Sequence, residues 1–157
     1  MTHELDDYEE RVERLREARL RALGTRSPRC MVAGCEETDP FALTGAAPAI
    51  LCREHRADDQ GRSWTEDHHV AGQRNDPLTI ALPANDHGSV SAMQSLWDRE
   101  TLRNQTGSPL LRIAARIHGW REIMRATIER GLGGVPEELE RLDKTLEEKL
   151  GPRWWRS

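Results

Sequence analysis

The feature that most constrains this chain is a pair of metal-binding corners in a segment with few apolar residues. Cys30 and Cys35 bracket four residues, whereas Cys52 and His55 bracket two, so the pattern is C-x4-C, a spacer and C-x2-H. Each corner can bring two soft ligands to one half of a tetrahedron, and Gly34 permits the tight turn that the first corner needs. Four protein ligands leave no open position. The pattern therefore predicts a structural Zn²⁺ ion; the alternative is three buried free thiols and an unrelated surface histidine.

The composition explains why such a staple is needed. The chain has 157 residues, of which 36% are hydrophobic and 4% aromatic. That is enough for one modest domain or two small ones, but not for one large core. An odd count of three cysteines disfavours a disulfide framework. Because we find no apolar run of membrane-spanning length and no signal segment, we expect a cytoplasmic protein without a membrane partner.

Hydrophobic spacing divides the chain into four predicted segments. Residues 1–24 are an N-terminal helix, for docking or dimerisation, that ends at Gly24. Residues 25–62 form a loop-rich zinc-binding module without a strong period. Residues 63–100 form a core with a strand over 63–70, a turn from Gly72 through 75–77, a strand over 78–82 and a helix to about Glu100. Residues 101–157 are a C-terminal helical region. The predicted fold class is α+β, mainly helical.

The last two helices are read from spacing alone. A helix begins near Pro109, reaches the Gly-Leu-Gly-Gly sequence at 131–134, and is followed by an amphipathic helix from Pro136 to Gly151. The predicted inward residues of the helix that begins near Pro109 recur at helical spacing: Leu110, Ile113, Ile117, Trp120, Ile123, Met124 and Ile128. Trp154 and Trp155 either stack on bases or fold back on a helix.

Three of the six histidines lie between Glu66 and His87, where His68 and His69 are adjacent. Hydrolysis of a phosphodiester needs a base for the water, a cation for the developing charge and a positioned phosphate. Adjacent histidines could divide the first two tasks between a base and a metal ligand. Consecutive strand residues point to opposite faces, so both could serve one site only where the strand ends or bulges.

The sequence "DHHVAG…NDP…LPANDH" resembles the HNH endonucleases, also called ββα-metal nucleases, over residues 28–97. The resemblance implies a small ββα-metal core beside the zinc module, with His69 as general base and His68 as metal ligand. It places a second metal ligand at His87. Two further roles have more than one candidate: Asn85 or Asp86 for an added metal contact, and Asn75 followed by Thr79 for orienting the base.

Two departures from the family pattern bear on the metal. Pro83 and Asp86 replace the usual cysteine pair before the last histidine, and Ser91 stands where some relatives have another histidine. The catalytic divalent cation is therefore left open among Mg²⁺, Mn²⁺ and Zn²⁺. The function that the resemblance implies is metal-dependent DNA endonuclease activity, giving 3′-hydroxyl and 5′-phosphate ends. The alternative is a non-catalytic, zinc-stapled adaptor that binds DNA or protein through a degenerate nuclease fold.

Arginines are concentrated after the predicted core. Residues 98–130 carry seven arginines against four acids, a local charge of +3 in a chain whose net charge is −4. They could form a phosphate track for double-stranded DNA or a solvated helix face with scattered ion pairs. The candidate DNA-binding residues are Arg99, Arg103, Arg112 and Arg116. Because small HNH proteins occur beside phage packaging genes, a larger nuclease or packaging complex is a candidate partner, and the host cytoplasm is then the expected location.

Overall fold

The computed structural model describes residues 2–131, 135–152 and 154–156. The protein is α+β and 55% helical with two small antiparallel sheets, which confirms the predicted class. The strands are β1 (Leu43–Ala46), β2 (Ala49–Cys52), β3 (Thr65–His69) and β4 (Thr79–Pro83). The helices are α1 (Thr2–Leu23), α2 (Arg53–Asp59), α3 (Ala84–Gln94), α4 (Arg99–Arg103), α5 (Pro109–Gly131) and α6 (Val135–Leu150), followed by a 3-10 turn at Trp154–Arg156.

The chain forms two compact units, Met1–Glu122 and Ile123–Ser157. The segment boundaries predicted at residues 24, 62 and 100 all fall inside the first unit and stay predictions. In the second unit the indole Nε1 of Trp154 donates to Asp143 Oδ1 at 2.9 Å, so the tail folds back on α6. Of the sequence predicted to end α5, residues 132–134 lie outside the described residues. No helix in the described ranges has the length and apolarity needed to cross a membrane.

Helix α1 packs against other residues of the first unit, which agrees with the docking role, one of the two roles predicted for it. The Tyr8 hydroxyl donates to Glu122 Oε1 at 3.0 Å, and Arg19 Nε donates to the carbonyl oxygen of Pro40 at 3.1 Å. Leu23 is fully buried at its end, and Gly24 closes the helix with φ of +72°. A left-handed residue of this kind is what glycine allows at a helix end.

The segment over residues 25–62 is more ordered than predicted. Strands β1 and β2 pair antiparallel, with Leu43 opposite Cys52, and α2 begins directly after β2. Each strand has four residues, and Gly45 has φ of +88° near the turn between them. The hairpin gave no clear period in the sequence because its strands are short and rich in small residues.

The order strand, loop, strand, helix over residues 63–94 is as predicted. β3 pairs antiparallel with β4, and α3 follows β4 at once. By residue type, Asn85 or Asp86 is expected to cap this helix, but that expectation is wrong: Pro83 is the N-cap residue, and no side chain caps α3. The predicted end near Glu100 was also wrong. Helix α3 stops at Gln94 because Asp98 starts α4 by accepting hydrogen bonds from two backbone N–H groups.

The predicted inward face of α5 was wrong for all but one of its seven residues. Ile123 is buried, whereas the others are between 44% and 76% exposed: Leu110, Ile113, Ile117, Trp120, Met124 and Ile128. The helix packs through small and polar residues instead. Ala115 and Gly119 are buried, and the His118 ring lies 5.5 Å from that of Trp97 between centroids. Helical spacing identified a stripe of large apolar residues, but α5 packs against its neighbours through Ala115 and Gly119, because small residues allow the backbones to come closer.

Gly119 marks the closest approach of α5 to the segment after β3. A Cβ at this position would overlap the carbonyl oxygen of Val70. We expect Gly119→Ala to lower the free energy of unfolding by about 1–3 kcal/mol, because overpacking against backbone cannot relax by rotamer change. Urea denaturation of the zinc-loaded wild type and variant measures this difference in the free energy of unfolding. Helix propensity alone would raise stability by about 1 kcal/mol, so a gain would show that the contact is absent.

Candidate metal centres

The four predicted zinc ligands come together at one point. The ligand atoms of Cys30, Cys35, Cys52 and His55 all lie within 4.8 Å of one another. His55 Nδ1 is 3.5 Å from Cys30 Sγ and 3.0 Å from Cys52 Sγ. In a tetrahedral site with Zn–S of about 2.3 Å and Zn–N of about 2.0 Å, the sulfur-to-nitrogen edge is about 3.5 Å. The cluster therefore has the donor set and spacing of a closed zinc centre.

Local backbone geometry builds each corner. The N–H of Cys35 donates to the carbonyl oxygen of Val32 at 3.1 Å, and Gly34 adopts φ of +81° inside this turn. At the second corner Cys52 is the N-cap of α2, where its sulfur accepts from the His55 N–H at 3.4 Å. The Cys52 N–H donates to Cys30 Sγ at 3.3 Å. Such N–H groups favour thiolate, which is the form that binds metal.

The two buried thiols differ in proton affinity. Burial opposes ionisation of Cys30, but N–H groups of Val32 and Cys52, together with the Cys35 and His55 side chains, lower its pKa to about 7. Burial raises the pKa of Cys52 to about 11. A cation that requires both as thiolates must displace a proton from Cys52 when it binds.

Zinc loading should depend on His55 and not on the histidines between Glu66 and His87. We expect His55→Ala to fall below one zinc per chain, and His68→Ala to keep one, because His68 is not part of the cluster. Metal content after dialysis is measured by a zinc-binding dye. His3→Ala is the matched control. Full zinc retention by His55→Ala would remove this residue from the ligand set.

A second group of titratable side chains lies between β3 and α3. The pairing of His68 with Ile80 and of Glu66 with Leu82 sets both side chains on one face of β3. Across from them on α3, the His87 ring lies 5.3 Å from the His68 ring between centroids, at an interplanar angle of 75°. We call Glu66, His68 and His87 the histidine centre.

Glu66 and His87 are in close contact within this centre. Glu66 Oε2 lies 2.6 Å from His87 Nδ1, but the contact lacks the direction of a hydrogen bond. The other ring nitrogen, Nε2, lies 3.4 Å from the hydroxyl of Ser91. Ser91 thus makes a polar contact with the His87 ring.

The His68 ring is neutral at physiological pH. Burial, followed by the nearby His87 and His69 rings, lowers its pKa to about 4. Its Nε2 is buried and has no hydrogen-bond partner among the described residues. Buried polar atoms are normally paired, so an orphaned nitrogen on a neutral imidazole is a fit for a metal ligand. Glu66 and His87 lie beside it, but among the described residues the group whose ligand atoms come together as a possible metal site is the cysteine cluster.

His69 ends β3, where the strand turns away. Its carbonyl oxygen accepts from the Gly72 N–H at 3.0 Å and from Gln94 Nε2 at 3.1 Å, so both the turn and α3 hold it. Strand alternation sets its ring on the face opposite His68. Its Nδ1 is buried without a hydrogen-bond partner among the described residues. The ring contact is observed for His68 with His87, and convergence of all three rings stays a prediction.

Asn75 holds the loop between β3 and β4. Its Nδ2 donates to the carbonyl oxygens of Ala71 at 3.0 Å and Thr101 at 2.9 Å, and its Oδ1 accepts from Asn104 Nδ2 at 3.0 Å. None of these bonds joins the His69 ring. The predicted role of Asn75 in orienting a base, with Thr79 as the second candidate, stays a prediction.

Asn85 is directed toward the cysteine cluster. Its Oδ1 accepts from the Glu54 N–H at 3.3 Å, at the start of α2. This bond directs the side chain to the zinc module. The predicted contact of Asn85 with a catalytic cation stays a prediction.

The predicted DNA-binding arginines fall into two groups. Arg116 forms an ion pair with the buried Asp76, and Arg112 is exposed on the same helix. Arg103, by contrast, lines a cavity of about 590 Å³ together with Arg74, and it also lines one of about 370 Å³ with Arg99. Arg74, Arg99 and Arg103 are exposed where they line these cavities.

Sequence reasoning missed three residues of this region. Glu66 stands two positions before His68 and hence on the same strand face, and Gln94 stands seven positions after His87 on the same helix face. Both spacings could have identified them. Arg74 carried no comparable signal, because only the folded loop brings it to Arg103.

Comparison with protein-family models, curated proteins and solved structures returns no match for this chain. A function must therefore be argued from the two centres themselves.

Proposed function

We propose that this protein is a metal-dependent DNA endonuclease of the HNH type, with β3, β4 and α3 as its ββα-metal core. One observation carries the proposal. The hairpin and the helix after it bring Glu66, His68 and His87 into one corner, where a neutral imidazole presents an unpartnered nitrogen. A carboxylate and two imidazoles in such a corner are typical ligands of a catalytic divalent cation.

His68 and His87 hold the cation in this proposal, and Glu66 either adds an oxygen ligand or fixes the His87 ring. A bound Mg²⁺, Mn²⁺ or Zn²⁺ would stabilise the charge that develops on the phosphate and on the leaving 3′ oxygen. His68 is suited to this task because burial keeps its ring neutral. The cysteine cluster, with four protein ligands, has a structural task.

His69 is the proposed general base. It takes a proton from a water molecule, which attacks the phosphorus in line with the leaving oxygen. This role requires the His69 ring to turn toward the histidine centre at the end of β3, where Gln94 and Gly72 hold the His69 backbone through its carbonyl oxygen. The bond between phosphorus and the 3′ oxygen breaks, the leaving 3′ oxygen takes up a proton from solvent to become a 3′-hydroxyl, and the phosphate stays on the 5′ end.

Cleavage should depend on His69 without a loss of fold. We expect His69→Ala to abolish nicking of supercoiled plasmid in Mg²⁺ or Mn²⁺, while its circular dichroism and zinc content match those of the wild type. His3→Ala is the matched control. Cleavage retained by His69→Ala would remove this residue from the base role, and no nicking by the wild type in any of the three metals would sink the nuclease proposal.

The DNA backbone is proposed to follow the guanidinium groups of Arg74, Arg99 and Arg103. We expect Arg103→Ala and Arg74→Ala to weaken duplex binding equally for unrelated sequences. Each should reduce the slope of log affinity against log salt by about 1, because each removes one phosphate contact. Fluorescence anisotropy measures this in the His69→Ala background, where DNA stays intact. Arg14→Ala, on the exposed side of α1, is the control. An unchanged slope would exclude the two arginines from the DNA path.

A second candidate function is a non-catalytic adaptor, and the exposed apolar residues of α5 favour it. Leu110, Ile113 and Ile117 are more than half exposed, which is unusual for a helix that only packs within its own chain. A partner such as a larger nuclease or packaging complex could supply DNA affinity to an acidic chain. The nicking assay separates the two functions, because an adaptor would bind without cutting.

A further inference from the structure

A groove in the first unit opens where α1, the start of α2 and α3 meet. It has a volume of about 450 Å³, and two guanidinium groups line it, those of Arg19 and Arg53. Most of its other lining is apolar: Leu15, Ala18, Ala22, Phe41 and Ala92. Small-molecule sites in proteins combine such a volume with an apolar lining and a few polar groups. We call it the arginine groove.

Backbone carbonyl groups hold both arginines at the same short segment. Arg19 Nε donates to the carbonyl oxygen of Pro40 at 3.1 Å, and its Nη2 donates to that of Leu43. Arg53 Nε donates to the carbonyl oxygen of Phe41 at 3.1 Å. Two cationic side chains are therefore fixed at neighbouring backbone positions in one groove.

The positive charge of the groove is not balanced by the chain. Neither guanidinium forms an ion pair with a carboxylate among the described residues. Asp39, which precedes the segment, accepts hydrogen bonds from the Phe41 N–H and the Ser89 hydroxyl. Arg19 is half-buried, and burial, followed by the charge of Arg53, lowers its pKa. Because charges withdrawn from water are normally paired, an anion from solution would fit between these two.

Each guanidinium also has hydrogen-bond donors to spare. An arginine side chain carries five N–H groups, of which the backbone takes two from Arg19 and one from Arg53. The remaining groups suit the bidentate recognition of phosphate or carboxylate. Charge decides between the anions. A phosphate monoester carries about −1.5 to −2 at pH 7, which matches two guanidinium groups, whereas a carboxylate or a phosphodiester carries a single negative charge.

We propose that the arginine groove binds a nucleoside monophosphate, with its phosphate on Arg19 and Arg53 and its base on the apolar lining. Phe41 supplies an aromatic side chain to that lining, and bases stack on aromatic groups. Ser91 lines the groove and also contacts the His87 ring at 3.4 Å, so the bound nucleotide lies next to the histidine centre. The site does not depend on whether that centre cleaves DNA.

Isothermal titration calorimetry of the zinc-loaded full chain with adenosine 5′-monophosphate tests the site. The dissociation constant should rise about tenfold in Arg19→Gln and in Arg53→Gln, because each variant removes charge-assisted hydrogen bonds to the phosphate. Arg16→Gln and Arg56→Gln are the matched controls, because both arginines are exposed and neither lines the groove. Both controls should bind as the wild type does.

Ala18→Phe tests the groove without touching its charges, should an arginine variant fail to fold. Ala18 is exposed on α1, and a benzyl group there would occupy the groove while both guanidinium groups stay in place. Binding should weaken at least about tenfold, whereas Arg16→Phe on the same helix should leave it unchanged. Amide NMR gives the location: the nucleotide should shift the Ser91 and Ala92 resonances in the wild type but not in Ala18→Phe.

Three further probes separate the parts of the ligand. Inorganic phosphate, adenosine and the methyl ester of adenosine monophosphate should each bind at least about tenfold more weakly than the nucleotide. Equal binding by adenosine would exclude the arginines from the site, and equal binding by inorganic phosphate would exclude the apolar lining.

Two results would overturn the proposal outright: no binding of the nucleotide by the wild type, or unchanged binding in all three groove variants. Tighter binding of a 5′-phosphorylated oligonucleotide would overturn the free nucleotide as the occupant in favour of a DNA end. Because no cleavage is measured, every outcome leaves the proposed nuclease to the nicking assay.

Discussion

The first unit depends on the convergence of three sulfurs and one imidazole in its zinc module. The core cluster of that module holds Leu23, Leu43 and Ile50 together with two of the thiols, Cys30 and Cys52. Burial of these thiols opposes their ionisation, and a bound cation offsets that cost. A zinc ion bound by this cluster would supply cohesion that apolar burial supplies in a larger domain, and it would fix the helices that begin or dock at the module.

Helix α3 connects the zinc module to the histidine centre, because it carries His87. The hairpin of β3 and β4 presents Glu66 and His68 without help, because strand register alone sets them on one face. His87 belongs to a helix that has no side-chain cap and is held instead by contacts with the zinc module. The hairpin alone therefore positions Glu66 and His68, whereas the position of His87 depends on the contacts of α3 with the zinc module.

The predictable parts of this fold are those that spacing encodes. The cysteine pattern located the cluster because ligand geometry demands paired corners, and β-type residues on either side of a glycine and an Asn-Asp-Pro turn located β3 and β4. The predictions that were wrong concern positions that are set by tertiary packing. The stripe from Leu110 to Ile128 has helical period, yet α5 packs through Ala115 and Gly119, since small residues permit closer contact than large ones. Asn85 suited a helix cap or a metal contact by type, and only the fold shows that the Glu54 N–H lies within its reach.

Burial links the acid response of the protein to its proposed chemistry. The pKa of His68 falls from 6.5 to about 4 on folding, so the unfolded chain binds more protons between these values. The free energy of unfolding contributed by this group is therefore full above about pH 6.5 and is lost as the pH falls toward 4. Because the pKa of His68 is low in the folded state, a proton competes with a cation for the ring nitrogen only at pH values near 4 or below. The burial that makes His68 costly to protonate is what keeps its lone pair available to a cation.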